Sequence, residues 1–170
     1  FVDTGLNANI GQRLLAVKRF LENDEYFMAN YADGLSDLDL SAYIDHYHRH
    51  GKIGSFLCVQ PSQSFHVVAL APDGAVTSIQ PVQEADLWIN GGYFIFRRDI
   101  FDYMRPGEEL VVEPFQRLIA QNQLVAYRNP GFWACMDTFK EKRMFDERVA
   151  SGNTPWTVWN QQATGLCAHA

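Results

Sequence analysis

The stretch FMANYADGLSDLDL, residues 27–40, decides how the chain is read. Phe27 and Met28 lead to Tyr31, and Ala32-Asp33-Gly34 follows at once, with Asp37 and Asp39 behind it. Aromatic and apolar residues favour a strand, and Asp-Gly is turn chemistry. The stretch therefore predicts a strand that stops in an acidic turn. Asp39 or Ser41 then caps a helix carrying Tyr43, Ile44 and Tyr47, and Gly51 ends it. In open α/β sheets ligands bind beyond the carboxyl ends of the strands. Asp33, the first acid after the strand, is expected to project into that crevice. Asp39 is expected to cap the helix, and Asp37 to be a solvated loop acid.

Working outward, residues 11–22 carry Leu14, Leu15, Val17, Phe20 and Leu21 at helical spacing. Residues 53–59 predict a buried strand. Residues 65–70 and 75–80 predict two strands joined across Pro72-Asp73-Gly74, a hairpin signal. WINGGYFIF (88–96) predicts an apolar strand, with a short helix over 98–104 after it. Pro114 sits just inside a helix start, where its missing N–H costs little. LVAYR (124–128) predicts another strand, and a last helix spans about 138–149. Strands and helices alternate, which predicts an α/β fold with helices on its faces, and the central hairpin predicts a mixed sheet.

The 170 residues are 47% hydrophobic and 20% charged, which suits a globular domain with a real core and excludes disorder. A formal net charge of −6 offers no general basic field for nucleic acid. The cysteines, Cys58, Cys135 and Cys167, are odd in number and widely spaced. That pattern predicts neither a disulfide framework nor structural zinc, and fits a reduced, cytoplasmic setting. No apolar run reaches membrane-spanning length and no signal peptide is visible. A single domain is expected over 1–160, with a tail over 161–170. The chain begins at Phe1 inside a patterned stretch, so a segment upstream is expected.

Other candidate residues stand elsewhere. In GFWACMDTFKEK (131–142), Asp137-Thr138 lies at a helix start, so Asp137 either caps that helix or offers its carboxylate to a metal. Two strand-end carboxylates can share one Mg²⁺, a hard ion that also takes phosphate oxygens and waters. Asn90-Gly91-Gly92 marks either a β-bulge or a close approach of a ligand to the backbone. His46 and His50 would share a helix face; without an evident third ligand, exposure of the three histidines at 46, 48 and 50 is expected instead of a metal site. Cys135 is expected to be a core cysteine.

VDTGLNANIGQRLLAVKRFL, NYADGLSDLDL, HGK, WINGGYFIF, GFWACMDTFKEK and TPWTVW occur here in the order seen in glucose-1-phosphate cytidylyltransferases, a group of sugar-phosphate nucleotidyltransferases. The resemblance runs from about Val2 to Trp159. It implies a Rossmann-like mixed sheet with helices on both faces, and formation of CDP-glucose from CTP and glucose 1-phosphate with release of pyrophosphate. Carried over by motif, Asp33 and Asp137 would be the catalytic Mg²⁺ ligands. Asn90 and Gly91 would touch the sugar, Arg13 in Gly11-Gln12-Arg13 the nucleotide, and Tyr31 would line the same site. Homo-oligomers would be compatible with it.

The sequence departs from the family in places. The Gly-rich loop G-G-x-G-T-R does not occur, so this chain by itself is not expected to form CDP-glucose. Gln80-Pro81-Val82-Gln83 stands where the family has Glu-Lys-Pro-Lys, and Ala32 where it has Gly. Two other readings start from the same residues. One is a metal-dependent glycosyltransferase using the Asp37-x-Asp39 pair. The other is a non-catalytic nucleotidyltransferase remnant.

Overall fold

The computed structural model describes residues 1–62 and 64–159; the expected tail over 161–170, with Cys167, lies outside them. Its elements are α1 (Ile10–Val17), β1 (Tyr26–Asn30), β2 (Gly34–Ser36), α2 (Leu40–His50), β3 (Gly54–Val59), β4 (His66–Leu70), β5 (Val76–Pro81), β6 (Ile89–Arg97), α3 (Glu113–Ala120), β7 (Leu124–Asn129), β8 (Trp133–Cys135) and α4 (Phe139–Ala150). The contacts group the chain into two compact units, one of residues 1–30, 40–57 and 92–127, the other of 31–39, 58–91 and 128 onward.

The first unit is built on the sheet, whose strand order is β1-β6-β3-β7. β1 runs antiparallel to β6, with Tyr26 opposite Arg97 and Asn30 opposite Tyr93. Phe94, Ile95 and Phe96 are all buried, so both faces of β6 are covered. Phe27 stacks on Phe101 at 5.7 Å, and Phe115 of α3 meets Phe96 edge-on at 6.3 Å. Gly54 is needed inside β3: a Cβ there would stand 2.9 Å from a methyl carbon of Leu124. Pro114 lies in the first turn of α3, as its chemistry predicts.

The helix expected over 11–22 stops sooner, at Val17, and continues as a 3-10 turn over Lys18–Phe20. Its start is firmly specified. Asn9 accepts the Gln12 N–H at 2.8 Å, and the Gln12 side chain accepts the Asn9 N–H at 2.9 Å. Gly11 lies against the backbone of the 108–110 segment, so a Cβ would meet the Glu108 carbonyl oxygen at 2.3 Å. The helix expected over 98–104 is a 3-10 helix, Arg98–Tyr103.

His46 is half-buried, which corrects the expectation that all three histidines are exposed. Its ring lies 4.2 Å from that of His50 and 5.2 Å from that of Tyr127. Burial, then the nearby His50 and Arg49, pushes its pKa down.

The second unit holds two ribbons. β4 and β5 form the expected hairpin, with Val68 opposite Ile79, and Gly74 at φ 88° in its turn. β2 pairs with β8. Neither strand of that pair is foreseen from the sequence, since three residues are too few to show alternation. Behind it, Phe145 of α4 packs edge-on against Trp156 at 5.4 Å. No helix among the described residues is long and apolar enough to cross a membrane.

Two outcomes are expected. Gly11→Ala should lower stability by about 1–3 kcal/mol, read from the urea midpoint, because backbone has to move to admit the methyl group. His46 is held neutral in the folded state, so its contribution is full above the unfolded value near 6.5. It is lost as pH falls from there through the lower folded value. His46→Gln should flatten that part of the stability–pH curve.

Candidate functional site

The site starts from the β2–β8 ribbon. Gly34 pairs with Cys135, Leu35 with Ala134 and Ser36 with Trp133, antiparallel. The Met136 N–H donates to the Asp33 carbonyl at 2.9 Å and extends the ladder by one step. Asp33 precedes one strand and Asp137 follows the other, so both come to the same end of the ribbon. Both are exposed.

Local chemistry leaves Asp137 available. Thr138 is the N-cap of α4, so the helix start is capped without the Asp137 carboxylate. The Glu141 carboxylate accepts the backbone N–H groups of Thr138 at 2.8 Å and Asp137 at 3.0 Å. The Asp137 carboxylate instead accepts the Cys135 thiol at 3.1 Å. Burial, the bond to Asp137, and the negative charges of Asp137, Glu141 and Asp33 push the Cys135 thiol up to about 12. It stays protonated at neutral pH and cannot act as a thiolate nucleophile.

That concentration of negative charge suits a cation. Two exposed carboxylates fit Mg²⁺, which commonly takes one or two protein carboxylates and fills the rest of its shell with waters and phosphate oxygens. Among the described residues no three His, Cys, Asp or Glu side chains form a metal cluster.

Tyr31, Asn90 and Gly91 belong to the same unit as the two acids. Asn90 Nδ2 reaches the Tyr31 hydroxyl at 3.5 Å, and Trp133 Nε1 donates to the Gly91 carbonyl at 2.8 Å. Gly92 has φ 75°, a left-handed conformation that a side chain would resist. Arg13 belongs to the other unit, where it is exposed and its Nε donates to the Ala8 carbonyl at 2.9 Å.

Asp37 is not a solvated loop acid. It is half-buried, its N–H donates to the Phe132 carbonyl at 3.1 Å, and its carboxylate accepts Asn129 Nδ2 at 3.1 Å. Its carboxylate also lies so close to Gly131 that a Cβ there would meet Oδ1 at 2.4 Å. The Ser36 hydroxyl completes the clamp by donating to the Phe132 carbonyl at 2.9 Å. An acid committed to folding the 129–132 loop is poorly placed to be half of an Asp-x-Asp metal pair. Only the glycine and asparagine of RNPGFW hinted at this tight loop in the sequence.

Asp37→Ala should therefore cost about 1–3 kcal/mol of unfolding free energy, because Asn129 loses its charged acceptor. Asp33→Ala, at an exposed position, should stay within about 0.5 kcal/mol of the unmodified chain. Urea unfolding of the two variants side by side checks both.

No family model matches the chain. Glucose-1-phosphate cytidylyltransferases from Salmonella typhimurium and Salmonella typhi are each 34% identical to it over 160 residues, 93% of this chain and 62% of theirs. The chain thus spans about 62% of the length of these curated relatives. A Bacillus anthracis structure, assigned as a glucose-1-phosphate thymidylyltransferase in complex with a sucrose, superposes with a TM-score of 0.60 at 13% identity. That likeness covers 81% of this chain and 59% of the other, and it shows the fold, bearing out the α/β mixed-sheet expectation. Along 93% of its length, then, the chain is similar to glucose-1-phosphate cytidylyltransferases, of which it spans about 62%.

Proposed function

We propose that the chain carries the metal-binding and sugar-binding side of a sugar-phosphate nucleotidyltransferase, which makes CDP-glucose from CTP and glucose 1-phosphate. The observation that carries this reading is the placement of Asp33 and Asp137 at one end of one ribbon, in a chain similar to cytidylyltransferases. A phosphate oxygen of the sugar phosphate attacks the α-phosphorus of the nucleotide in line. The bond from that phosphorus to the oxygen bridging to the β-phosphate breaks, and pyrophosphate leaves with the electron pair. No protein nucleophile is required, consistent with a Cys135 thiol that keeps its proton.

The protein's work is positioning. Asp33 and Asp137 would hold Mg²⁺, which supplies positive charge against the nucleotide phosphates. Asn90 and the Tyr31 hydroxyl, already within 3.5 Å of each other, would read sugar hydroxyls. Trp133, bonded to the Gly91 carbonyl, fixes the height of that strand beside the ribbon.

In the full-length protein, Asp33→Asn and Asp137→Asn should each lower turnover of CTP and glucose 1-phosphate by about a hundredfold or more, with the circular dichroism spectrum unchanged. Turnover equal to that of the unmodified protein would overturn the assignment. Sugar transfer from CDP-glucose, lost on Asp39→Asn, would favour the glycosyltransferase reading instead.

A further inference from the structure

Asp33 and Asp137 reach the same end of the ribbon, but they are not held alike. Among the described residues no hydrogen bond reaches the Asp33 carboxylate; its backbone carbonyl alone accepts one, from Met136. The Asp137 carboxylate takes one at Oδ2, from the Cys135 thiol at 3.1 Å, and among the described residues none reaches Oδ1. The backbone N–H groups of Asp137 and Thr138 both donate to Glu141, so the start of α4 does not use the Asp137 side chain.

The place of Cys135 in the ribbon suits it to this bond. It stands two residues before Asp137, the spacing that returns a strand's side chains to one face. Across the ribbon it is paired with Gly34, which has no side chain to compete for the space. Cys135 is half-buried and Asp137 exposed, so the donor is the better anchored of the two. The cysteine is in no disulfide, and a thiol ordinarily holds its proton at neutral pH. An exposed aspartate turns about its side-chain bonds, and stopping that motion when an ion arrives costs entropy. A donor on one oxygen removes part of the motion beforehand and leaves the other oxygen for the ion. Outer donors to ligating carboxylates act in this way.

We propose that Cys135 is a positioning residue for the metal site: its thiol holds Oδ2 of Asp137 and so presents Oδ1 to the ion. The inference rests on the shared-ion reading above and gives the cysteine a part in it that is neither nucleophile nor ligand. Cys135 acts through Asp137. Serine at this position would keep a donor, whereas alanine or valine would remove it.

The test is a Mn²⁺ titration without nucleotide or sugar, followed by the broadening of the amide signals of residues 136–138. It compares the unmodified chain with Cys135→Ala, Cys135→Val and Cys135→Ser. Cys135→Ala and Cys135→Val should each weaken Mn²⁺ binding about tenfold, the low end for an outer donor because a thiol is a weak one. Cys135→Ser should stay within about threefold of the unmodified chain, since its hydroxyl still donates to the carboxylate. A cysteine needed only for packing gives another order, with Cys135→Val nearest the unmodified chain and Cys135→Ser weakened most. That order overturns the inference. Equal affinity of Cys135→Ala and the unmodified chain overturns it too and leaves the shared ion standing. If Mn²⁺ does not broaden residues 136–138 of the unmodified chain, the metal reading and the inference fall together.

Discussion

The pairing of β2 with β8 is the constraint on which the site depends. Each strand has only three residues, yet their register places residues from distant parts of the chain side by side. A slip of one residue would turn every side chain to the opposite face. The clamp around residues 129–132 prevents it. Asp37, Ser36 and Asn129 bond to one another or to the Phe132 carbonyl, and Gly131 leaves room for the Asp37 carboxylate. Structure at the closed end of the ribbon thus fixes chemistry at the open end.

The three acids of YADGLSDLD divide by position. Asp33 lies before the strand and stays exposed, Asp37 lies after it and is drawn into the clamp, and Asp39 immediately precedes α2. On the other strand, Thr138 takes the capping position and Glu141 binds the adjacent N–H groups. Asp137 is thereby left free of the helix cap and accepts the Cys135 thiol, which burial, that bond and the surrounding carboxylates push up.

Much of this was legible in the sequence. Chemistry that acts within a few residues, such as Asp-Gly after an aromatic strand, Pro114 at a helix start and Pro72-Asp73-Gly74 in a hairpin, leaves a local signal, and β1, α3 and the β4–β5 turn follow it. What was hidden depends on distant partners. Asp37 looks like any loop acid until Asn129, 92 positions away, is brought to it. His46 is half-buried because β7 supplies Tyr127. Arg128 and Trp88 meet only because the fold brings β7 beside the segment leading into β6. Strands of three residues carry too little pattern to be seen, so the sequence shows the two acids but not the ribbon that carries them.

Paramagnetic broadening by Mn²⁺, a hard divalent ion with the ligand preferences of Mg²⁺, tests the joint site most directly. In the proton–nitrogen spectrum of the chain, amides of residues 32–34 and 136–138 should broaden together at the lowest ion concentrations. Asp33→Asn should release both groups of signals at once, since each carboxylate holds the ion only with the other's help. Broadening centred on residues 37–40, or broadening of one group that survives loss of the other acid, would contradict a metal shared across the ribbon.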